Sequence, residues 1–539
     1  MPDSKSIGFR LRRKIREWQT DGHNQKITAA VNAAVAAHAD VDSSAQPVVF
    51  FHASTRLERL NLNNAFQQLA AWGVQLSGTP VIHLVCSAGL KPCLLGTNKD
   101  APWKEPPCEK CQALSDRLTA GGEAVHMPFM MDQDLEQTLQ KMELHEYADF
   151  VYDGLPLGDL VLPSLRWILR RHHLKDDGPT MYLFQQYMLS AWSVACQVRE
   201  LLDERKPRAV VVFNGMFYPE ATVRYLAQQR DIPVISHEVA LRPNTAFFTP
   251  GEATAYPIDI PESFDLDAEQ NARLDAYLEQ RIKGNFSMAG VRFWPEMQNL
   301  SPELLKKAAG FKQIVPVFTN VVFDTSQKHS NVVFASMFEW LDEVLGLVKS
   351  HPDTLFVLRA HPDENRPRKE AAESVADWVK RNRADELENL LFISPDEYLS
   401  SYELIQRSKF VLIYNSTIGL EAAIMGAAVL CGGRARFTQL PTVFFPQTQA
   451  AFQEQARAFL AADQVTAPEE FQRNARRFLF YQLYRTAIPM DAFIEEDGVW
   501  RGYVRWKSFN WQDLKTENSP AIRTIVNGIF NQGDFIYDA

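Results

Sequence analysis

The fold is indicated most directly by the stretch Phe410-Val411-Leu412-Ile413-Tyr414-Asn415-Ser416-Thr417-Ile418-Gly419. Its first five residues form a short apolar run, which predicts a buried β-strand. The next residues are small and polar, and residues 419–425 then predict a helix. A buried strand that turns directly into a helix is typical of an α/β domain with a parallel sheet.

The same alternation extends in both directions from this stretch. Strands are predicted at Ile314–Phe318, Leu355–Leu358 and Leu390–Ile393, and another follows at Ala428–Cys431. A helix is predicted between the first two strands because apolar residues recur there every three or four positions. This region therefore forms one Rossmann-like domain.

An earlier region of the chain repeats the pattern. Its predicted strands are Val48–Phe51, Val81–Val85, Ala209–Phe213 and Pro233–Ile235, with helical segments between them. Two α/β domains in tandem predict two parallel sheets. The predicted limits are 1–45 for a basic amphipathic helix, 46–300 for the first domain with a cysteine-containing insert, 301–467 for the second domain, and 468–539 for a helical tail.

Composition excludes several classes of protein. Of the 539 residues, 46% are hydrophobic and 23% are charged, as in soluble globular proteins. A formal net charge of −10 argues against a nucleic-acid-binding protein. No run reaches the ~18–20 apolar residues of a spanning helix. Six cysteines in a chain of this length do not suggest a disulfide scaffold, so we expect a cytoplasmic protein.

Two polar clusters follow predicted strands of the second domain. Arg359-Ala360-His361-Pro362 follows one strand, and Asn415-Ser416-Thr417 follows another. Open parallel sheets bind ligands at the carboxyl ends of their strands. The cation, the imidazole and the amides that open the next helix can hold phosphates, and Glu421 can accept hydrogen bonds from a ribose. Each cluster alone also fits an ordinary strand end or a helix-dipole partner, but together they favour a nucleotide site.

These clusters, together with Tyr414 and the helix through Ala422, resemble the donor half of GT-B glycosyltransferases. They are similar in particular to the capsule polysaccharide biosynthesis proteins, which include the Kdo transferases. The segment Phe318–Asp324 resembles the opening of that donor domain, and Phe213–Gly215 with Pro233–Glu238 resembles its acceptor-side domain.

The resemblance implies a GT-B-like fold of two facing Rossmann-like domains. It implies transfer of a sugar from a nucleotide-sugar donor to a surface polysaccharide or a lipid-linked glycan. His361, Ser416 and Thr417 would contact the donor phosphates and Glu421 the ribose, and catalysis would need no metal.

An inverting transfer also needs a general base that takes the proton of the acceptor hydroxyl. His237 and Glu238 are the candidates, because they follow the strand Pro233–Ile235 and should face the cleft. His52, at the end of the first strand, is the next candidate. The alternative for His237 and Glu238 is an ordinary pair of loop residues at a domain edge.

Four cysteines cluster in the insert of the first domain. Cys108-Glu109-Lys110-Cys111 has the spacing of a metal knuckle, and Cys86 and Cys93 precede it. Four thiolates could hold one structural zinc ion. Free buried thiols are the alternative.

The amino-terminal segment predicts an amphipathic helix. Ile7, Leu11, Ile15 and Trp18 fall on one stripe, and residues 10–16 include five arginine or lysine residues. Such a helix could lie peripherally on the inner membrane surface, or its stripe could pack on the first domain.

Three other functions fit the same pattern. A non-hydrolysing sugar-nucleotide epimerase also has two facing Rossmann domains and a His-Pro element. A CDP-polyol phosphotransferase would consume a related donor. A scaffold subunit of a polysaccharide assembly complex could keep the fold without catalysis.

Overall fold

A computed structural model describes residues 7–53, 58–282, 297–367 and 369–538 of the chain. The strands are β1 (Val48–His52), β2 (Val81–Cys86), β3 (Glu123–Met127), β4 (Ala209–Phe213), β5 (Val234–Val239), β6 (Thr245–Pro250), β7 (Gln313–Phe318), β8 (Thr354–Arg359), β9 (Leu390–Ile393), β10 (Val411–Ile413), β11 (Val429–Cys431), β12 (Ile488–Pro489), β13 (Ile494–Glu496) and β14 (Val504–Trp506).

The described helices up to β7 are α1 (Ile7–His38), α2 (Leu62–Leu76), α3 (Cys108–Thr119), α4 (Gln133–Leu139), α5 (Leu144–Tyr147), α6 (Leu157–Leu169), α7 (Gly178–Arg205), α8 (Tyr218–Gln228), α9 (Ala268–Ile282) and α10 (Pro302–Ala308). Those that follow are α11 (Gln327–Ser330), α12 (Met337–Ser350), α13 (Val375–Arg381), α14 (Ser401–Gln406), α15 (Ile418–Ile424), α16 (Gln449–Ala461), α17 (Glu469–Phe480) and α18 (Pro520–Asn531).

The first sheet has seven strands in the order β12-β6-β5-β4-β1-β2-β3. The strands β5, β4, β1, β2 and β3 are parallel, while β6 and β12 are antiparallel to their neighbours. Every residue of β1 is buried, because helices cover both faces of a parallel sheet.

The second sheet is entirely parallel, with the order β11-β10-β7-β8-β9. Its order reverses at β7, since β8 and β9 lie on one side and β10 and β11 on the other. Such a reversal opens a crevice at the carboxyl ends of the adjoining strands. Trp340 of α12 and Tyr414 pack against each other in the core behind it, with ring centroids 5.6 Å apart.

The chain after residue 468 connects both sheets. Helix α17 packs against α15 of the second domain. The chain then returns to the first sheet, where β12 pairs with β6 and α18 packs on α2. The predicted α/β fold of two mainly parallel sheets with a helical carboxyl-terminal region is confirmed. The domain limits stay a prediction.

Candidate functional site

A cleft opens where β7, β8 and β10 end, and it encloses about 810 Å³ counted to its open mouth. Side chains from both predicted polar clusters line it. They are Arg359 and His361 after β8, and Ser416, Thr417 and Glu421 after β10. The structure therefore brings together residues that are about 60 positions apart in the sequence.

His361 stands at the mouth of β8 with a defined hydrogen-bonding pattern. Its Nδ1 accepts the backbone N–H of Asp363 at 3.1 Å, so a neutral ring carries its proton on Nε2. Burial lowers the pKa of His361, opposed by the nearby Asp363 carboxylate. A neutral imidazole in this place is a hydrogen-bond donor through Nε2–H.

Arg359 lines the same cleft, and its hydrogen bonds go to neighbouring residues of the cleft wall. Its guanidinium donates to the carbonyl oxygen of Leu399 and, at 2.6 Å, to the hydroxyl of Ser401. Burial lowers the pKa of Arg359 to about 10, so the side chain remains a cation at neutral pH. Arg359 thus fixes the start of α14 beside the cleft while adding positive charge to it.

Asn415 joins two loops beneath the cleft. Its amide donates to the Ser330 hydroxyl at 2.6 Å and accepts from the Asn320 amide at 2.8 Å. These bonds place the following residues, Ser416 and Thr417, at the cleft surface. Both Ser416 and Thr417 line the cleft.

Glu421 lies at the far end of the cleft in a network that the sequence did not predict. Its carboxylate accepts from the Arg281 guanidinium of α9 and from the Tyr402 hydroxyl, the latter at 2.5 Å. Arg281 also donates to the Tyr277 hydroxyl at 3.1 Å. Arg281 is 140 positions from Glu421, and no local pattern links them.

The two candidate bases at the end of β5 lie in different surroundings. His237 is fully buried between Phe213 and Phe248, and neither ring nitrogen has a hydrogen-bond partner in the described chain. Burial lowers its pKa to about 3. His237 therefore lies inside the sheet core and does not reach the cleft.

Glu238 lies on the other side of the same strand. Its carboxylate accepts from the Asn214 amide at 2.8 Å, and burial raises its pKa. Arg436 and Asp324, both from the second domain, lie close enough to shift that pKa in opposite directions. Glu238 thus lies within electrostatic range of the second domain.

His52, the reserve candidate for a base, is also buried. Its Nδ1 contacts Gln67 Oε1 at 3.0 Å and its Nε2 contacts His83 Nδ1 at 2.9 Å. The two histidines and the glutamine fill the interior beside β1 and β2, so His52 is held in the core.

The four clustered cysteines lie within range of one another's charge. Burial raises the pKa of Cys86 to about 11 and that of Cys93 to about 12, and the other thiols add to the second shift. Cys93 Sγ also accepts the Gly96 N–H at 3.2 Å. In residues 7–53, 58–282, 297–367 and 369–538, no group of three or more metal-ligating side chains is arranged to hold an ion. The zinc site at Cys86, Cys93, Cys108 and Cys111 stays a prediction.

Helix α1 buries one face and exposes the opposite one. Asn24 and Thr28 are buried against the chain near Trp506, whereas Leu11, Ile15 and Trp18 are 59%, 47% and 77% exposed. The predicted stripe therefore points away from the protein over the part whose side chains are described, which leaves out Ile7. No helix in the described chain is long and apolar enough to cross a membrane.

Comparisons with known proteins agree with the resemblance seen in the sequence. Residues 295–464 match the family model described as capsule polysaccharide biosynthesis protein, and this segment contains the whole polar lining from β8 and β10. The predicted resemblance to that family is confirmed for this segment. No curated protein matches the chain.

Several solved structures share parts of the architecture. The KpsC β-Kdo 2,4-transferase of Thermosulfurimonas dismutans is 12% identical, covers 59% of this chain and 87% of its own, and has a TM-score of 0.34. The KpsC β-Kdo 2,7-transferase of the same organism is 16% identical, covers 53% of this chain and 88% of its own, and has a TM-score of 0.30. The UDP-GlcNAc 2-epimerase of Neisseria meningitidis is 12% identical, covers 81% of this chain and 99% of its own, and has a TM-score of 0.25.

Proposed function

We propose that the protein is a GT-B glycosyltransferase that transfers a sugar from a nucleotide-sugar donor to a growing surface polysaccharide or glycolipid. One observation carries the proposal. The polar residues of both clusters line a single cleft at the carboxyl ends of β7, β8 and β10, inside the segment that matches the capsule biosynthesis family. The proposed chemistry needs no metal.

The donor phosphates would lie at the β8 side of the cleft. His361 would donate through Nε2–H to a phosphate oxygen, and Ser416 and Thr417 would donate through their hydroxyls. Donors fixed in place before the reaction stabilise the negative charge that develops on the leaving nucleotide. Arg359 would add to this stabilisation through its charge, since its hydrogen bonds go to Leu399 and Ser401.

The nucleoside would lie toward Glu421. The carboxylate is held by Arg281 and Tyr402, which fixes its orientation. A fixed carboxylate loses little side-chain entropy when it accepts a hydrogen bond from a ribose hydroxyl. We therefore assign Glu421, Arg281 and Tyr402 together to the nucleoside end.

Glu238 would be the general base of an inverting transfer. It lies within electrostatic range of Arg436 and Asp324 of the second domain, and its raised pKa brings the carboxylate nearer the value that suits a base at neutral pH. We prefer Glu238 to His237 in this role, because His237 is enclosed by aromatic rings and burial lowers its pKa to about 3.

The test is a thermal-shift screen of the full chain against CMP, UDP, GDP and TDP sugars, followed by turnover of the best ligand. A transferase should be stabilised by one donor class and should consume it faster when acceptor glycan is added. Turnover to an epimer without acceptor would instead support the epimerase. Donor binding with no transfer to any acceptor would support the scaffold, and consumption of a CDP-polyol would support the phosphotransferase.

We further propose that α1 attaches the protein to the inner face of the cytoplasmic membrane. The exposed Leu11, Ile15 and Trp18 would enter the interface, and the basic residues 10–16 would meet anionic lipid headgroups. In vesicle flotation, the full chain should float with anionic vesicles and a chain truncated to begin at Ser43 should not. Equal flotation of both would exclude α1 as the anchor.

A further inference from the structure

A cationic cluster at the boundary between the domains is not used by the donor site. Arg170 ends α6 in the first domain, and Arg366 and Lys369 come from the second domain. Each of these three cations lies close enough to another member to lower a pKa in the cluster. None of them belongs to the residues that line the donor cleft.

The backbone holds Arg170 firmly in this place. Arg170 adopts a left-handed conformation with φ 58° at the end of α6, and its carbonyl oxygen accepts the N–H of Ala372 at 2.8 Å. The next residues continue the contact, since the backbone N–H groups of His172 and His173 donate to the Glu373 carboxylate at 2.9 and 3.0 Å. The two domains are thereby joined at the point where the guanidinium lies.

The Arg170 side chain is buried, and part of its guanidinium has no hydrogen-bond partner among the described residues. It is only 6% exposed, and its Nη1 has no hydrogen-bond partner in the part of the chain that the structure describes. The guanidinium carbon lies 4.3 Å from the Trp167 ring and 5.0 Å from the Phe323 ring. Burial of a charged donor without a partner is unfavourable, so the arrangement favours an anion that would accept from Nη1.

Lys369 reinforces the same point. Its Nζ lies 5.7 Å from the same Trp167 ring and forms no ion pair within the described chain. Burial lowers the pKa of Lys369, and the charges of Arg366 and Arg170 lower it further. Three acidic residues lie near the cluster, namely Asp324, Asp363 and Glu370. Of these, Asp324 is exposed, and Asp363 Oδ2 lies 3.8 Å from Arg366 Nη1. Two cations held over one indole ring repel each other unless an anion lies between them.

The cluster shares an electrostatic neighbour with His361 and with Glu238, the proposed general base. Asp324 lies within electrostatic range of His361, of Glu238 and of Lys369. Lys369 of the cluster, His361 and Glu238 therefore each lie within electrostatic range of the Asp324 carboxylate. A substrate group bound at the cluster would belong to the molecule that approaches Glu238, which is the acceptor.

We propose that Arg170 and Lys369 form a second anion-binding subsite that holds a phosphate or carboxylate group of the acceptor. This assignment rests on the proposed function for the identity of the acceptor. Arg170 supplies a planar donor suited to paired oxygens, and Lys369 supplies a point charge. The protein would thus prefer acidic acceptor glycans over neutral ones.

The experiment titrates inorganic phosphate into the full chain by calorimetry, with and without a saturating amount of the nucleotide that gives the largest thermal shift. Phosphate should still bind when the nucleotide is present. R170M, which keeps an apolar chain against Trp167, should weaken that binding at least ten-fold, because a charged hydrogen bond is lost. Acetate in place of phosphate distinguishes a carboxylate from a phosphate preference.

Arg199→Met is the matched control. Arg199 also lies over a tryptophan, 5.0 Å from Trp192, but it is paired with Asp153 on another surface. The R199M variant should bind phosphate with the same affinity as the unaltered chain. If R170M does not fold, the same titration is made on K369Q, which should bind phosphate several-fold more weakly than the unaltered chain.

Equal phosphate affinity in R170M and R199M would overturn the subsite. Loss of the phosphate site on nucleotide saturation would also overturn it, because the anion would then belong to the donor cleft. If no nucleotide binds at all, the proposed function fails, while the titration of nucleotide-free protein still tests Arg170.

Discussion

Both sheets carry histidines in or directly after their strands, but of His52, His237 and His361 only His361 lines the cleft. In the second sheet, His361 follows β8 and borders the open space beside Ser416 and Thr417. In the first sheet, His52 ends β1 and His237 lies within β5, and both side chains are buried in the core. His52 is held by Gln67 and His83, and His237 by aromatic rings.

The difference shows that position at a strand end is not enough to make a residue functional. The residue must also point into space that a ligand can enter. In the first sheet, the neighbour of His237 on β5 is Glu238, whose carboxylate lies within electrostatic range of Arg436 and Asp324 of the second domain. We therefore propose chemical roles for Glu238 and His361 and packing roles for His237 and His52.

The largest expected effect is that of Glu238→Gln. A general base typically contributes ~10²–10⁴-fold to the rate, so kcat should fall by about that factor. Donor affinity should survive, because the base acts on the acceptor in the transition state. The measurement is steady-state transfer together with donor titration.

His237→Leu is the neighbouring control for that change. It should keep kcat within a few-fold of the unaltered enzyme. A normal kcat in E238Q with a collapsed kcat in H237L would reverse the assignment of the two residues. Normal rates in both would move the base elsewhere, or indicate a retaining reaction.

His361→Ala should reduce transfer by ~100-fold through lost stabilisation of the leaving phosphate. His351 is the matched control, since it precedes β8 whereas His361 follows it. H351A should leave the rate nearly unchanged. Unaltered rate and unaltered nucleotide affinity in H361A would remove His361 from the donor site.

Acid sensitivity gives a third contrast between the two sheets. The unfolded state takes up a proton on His237 near pH 6.5, whereas the folded state takes it up only near pH 3. His237 therefore lowers the free energy of unfolding as the pH falls below 6.5. Between pH 7 and pH 5 this amounts to about 2 kcal/mol.

His237→Leu should remove that share of the acid sensitivity. Urea unfolding at pH 7 and pH 5 should show a smaller drop in the free energy of unfolding for H237L than for the unaltered chain. An identical drop in both would mean that water or a polar group reaches the ring, and would contradict the placement of His237 in a dry core.

The cysteines at the end of β2 give the smallest expected effect. Metal analysis should find about one zinc ion per chain, and C108S should lose it while C196S should not. Zinc must displace protons from thiols whose pKa burial has raised, so binding should weaken as the pH falls. A folded, metal-free preparation with four titratable thiols would end this prediction.

Local patterns predicted most of the two sheets. The strands Ala209–Phe213 and Leu390–Ile393 match the structure residue for residue, because buried parallel strands are short apolar runs between polar turns. The edge strand β3 and the antiparallel β6 were not predicted. Four of the five β3 residues are not fully buried, so its alternation carries little apolar signal.

The site was predictable only where its residues adjoin strand ends. His361, Ser416 and Thr417 could be located because the chain order fixes them after β8 and β10. Arg281 and Tyr402 could not, because tertiary packing alone brings them to Glu421. The different surroundings of His237 and Glu238 could not be predicted either, since tertiary packing places aromatic rings around His237 and Asn214 beside Glu238.

The most direct measurement is a crystal structure of the chain with the nucleotide sugar that stabilises it most. We expect the phosphates to lie within hydrogen-bond distance of His361 and of Ser416 or Thr417, with the ribose toward Glu421. We expect the transferable sugar to face Glu238. A nucleotide bound away from the carboxyl ends of β8 and β10 would contradict the central claim.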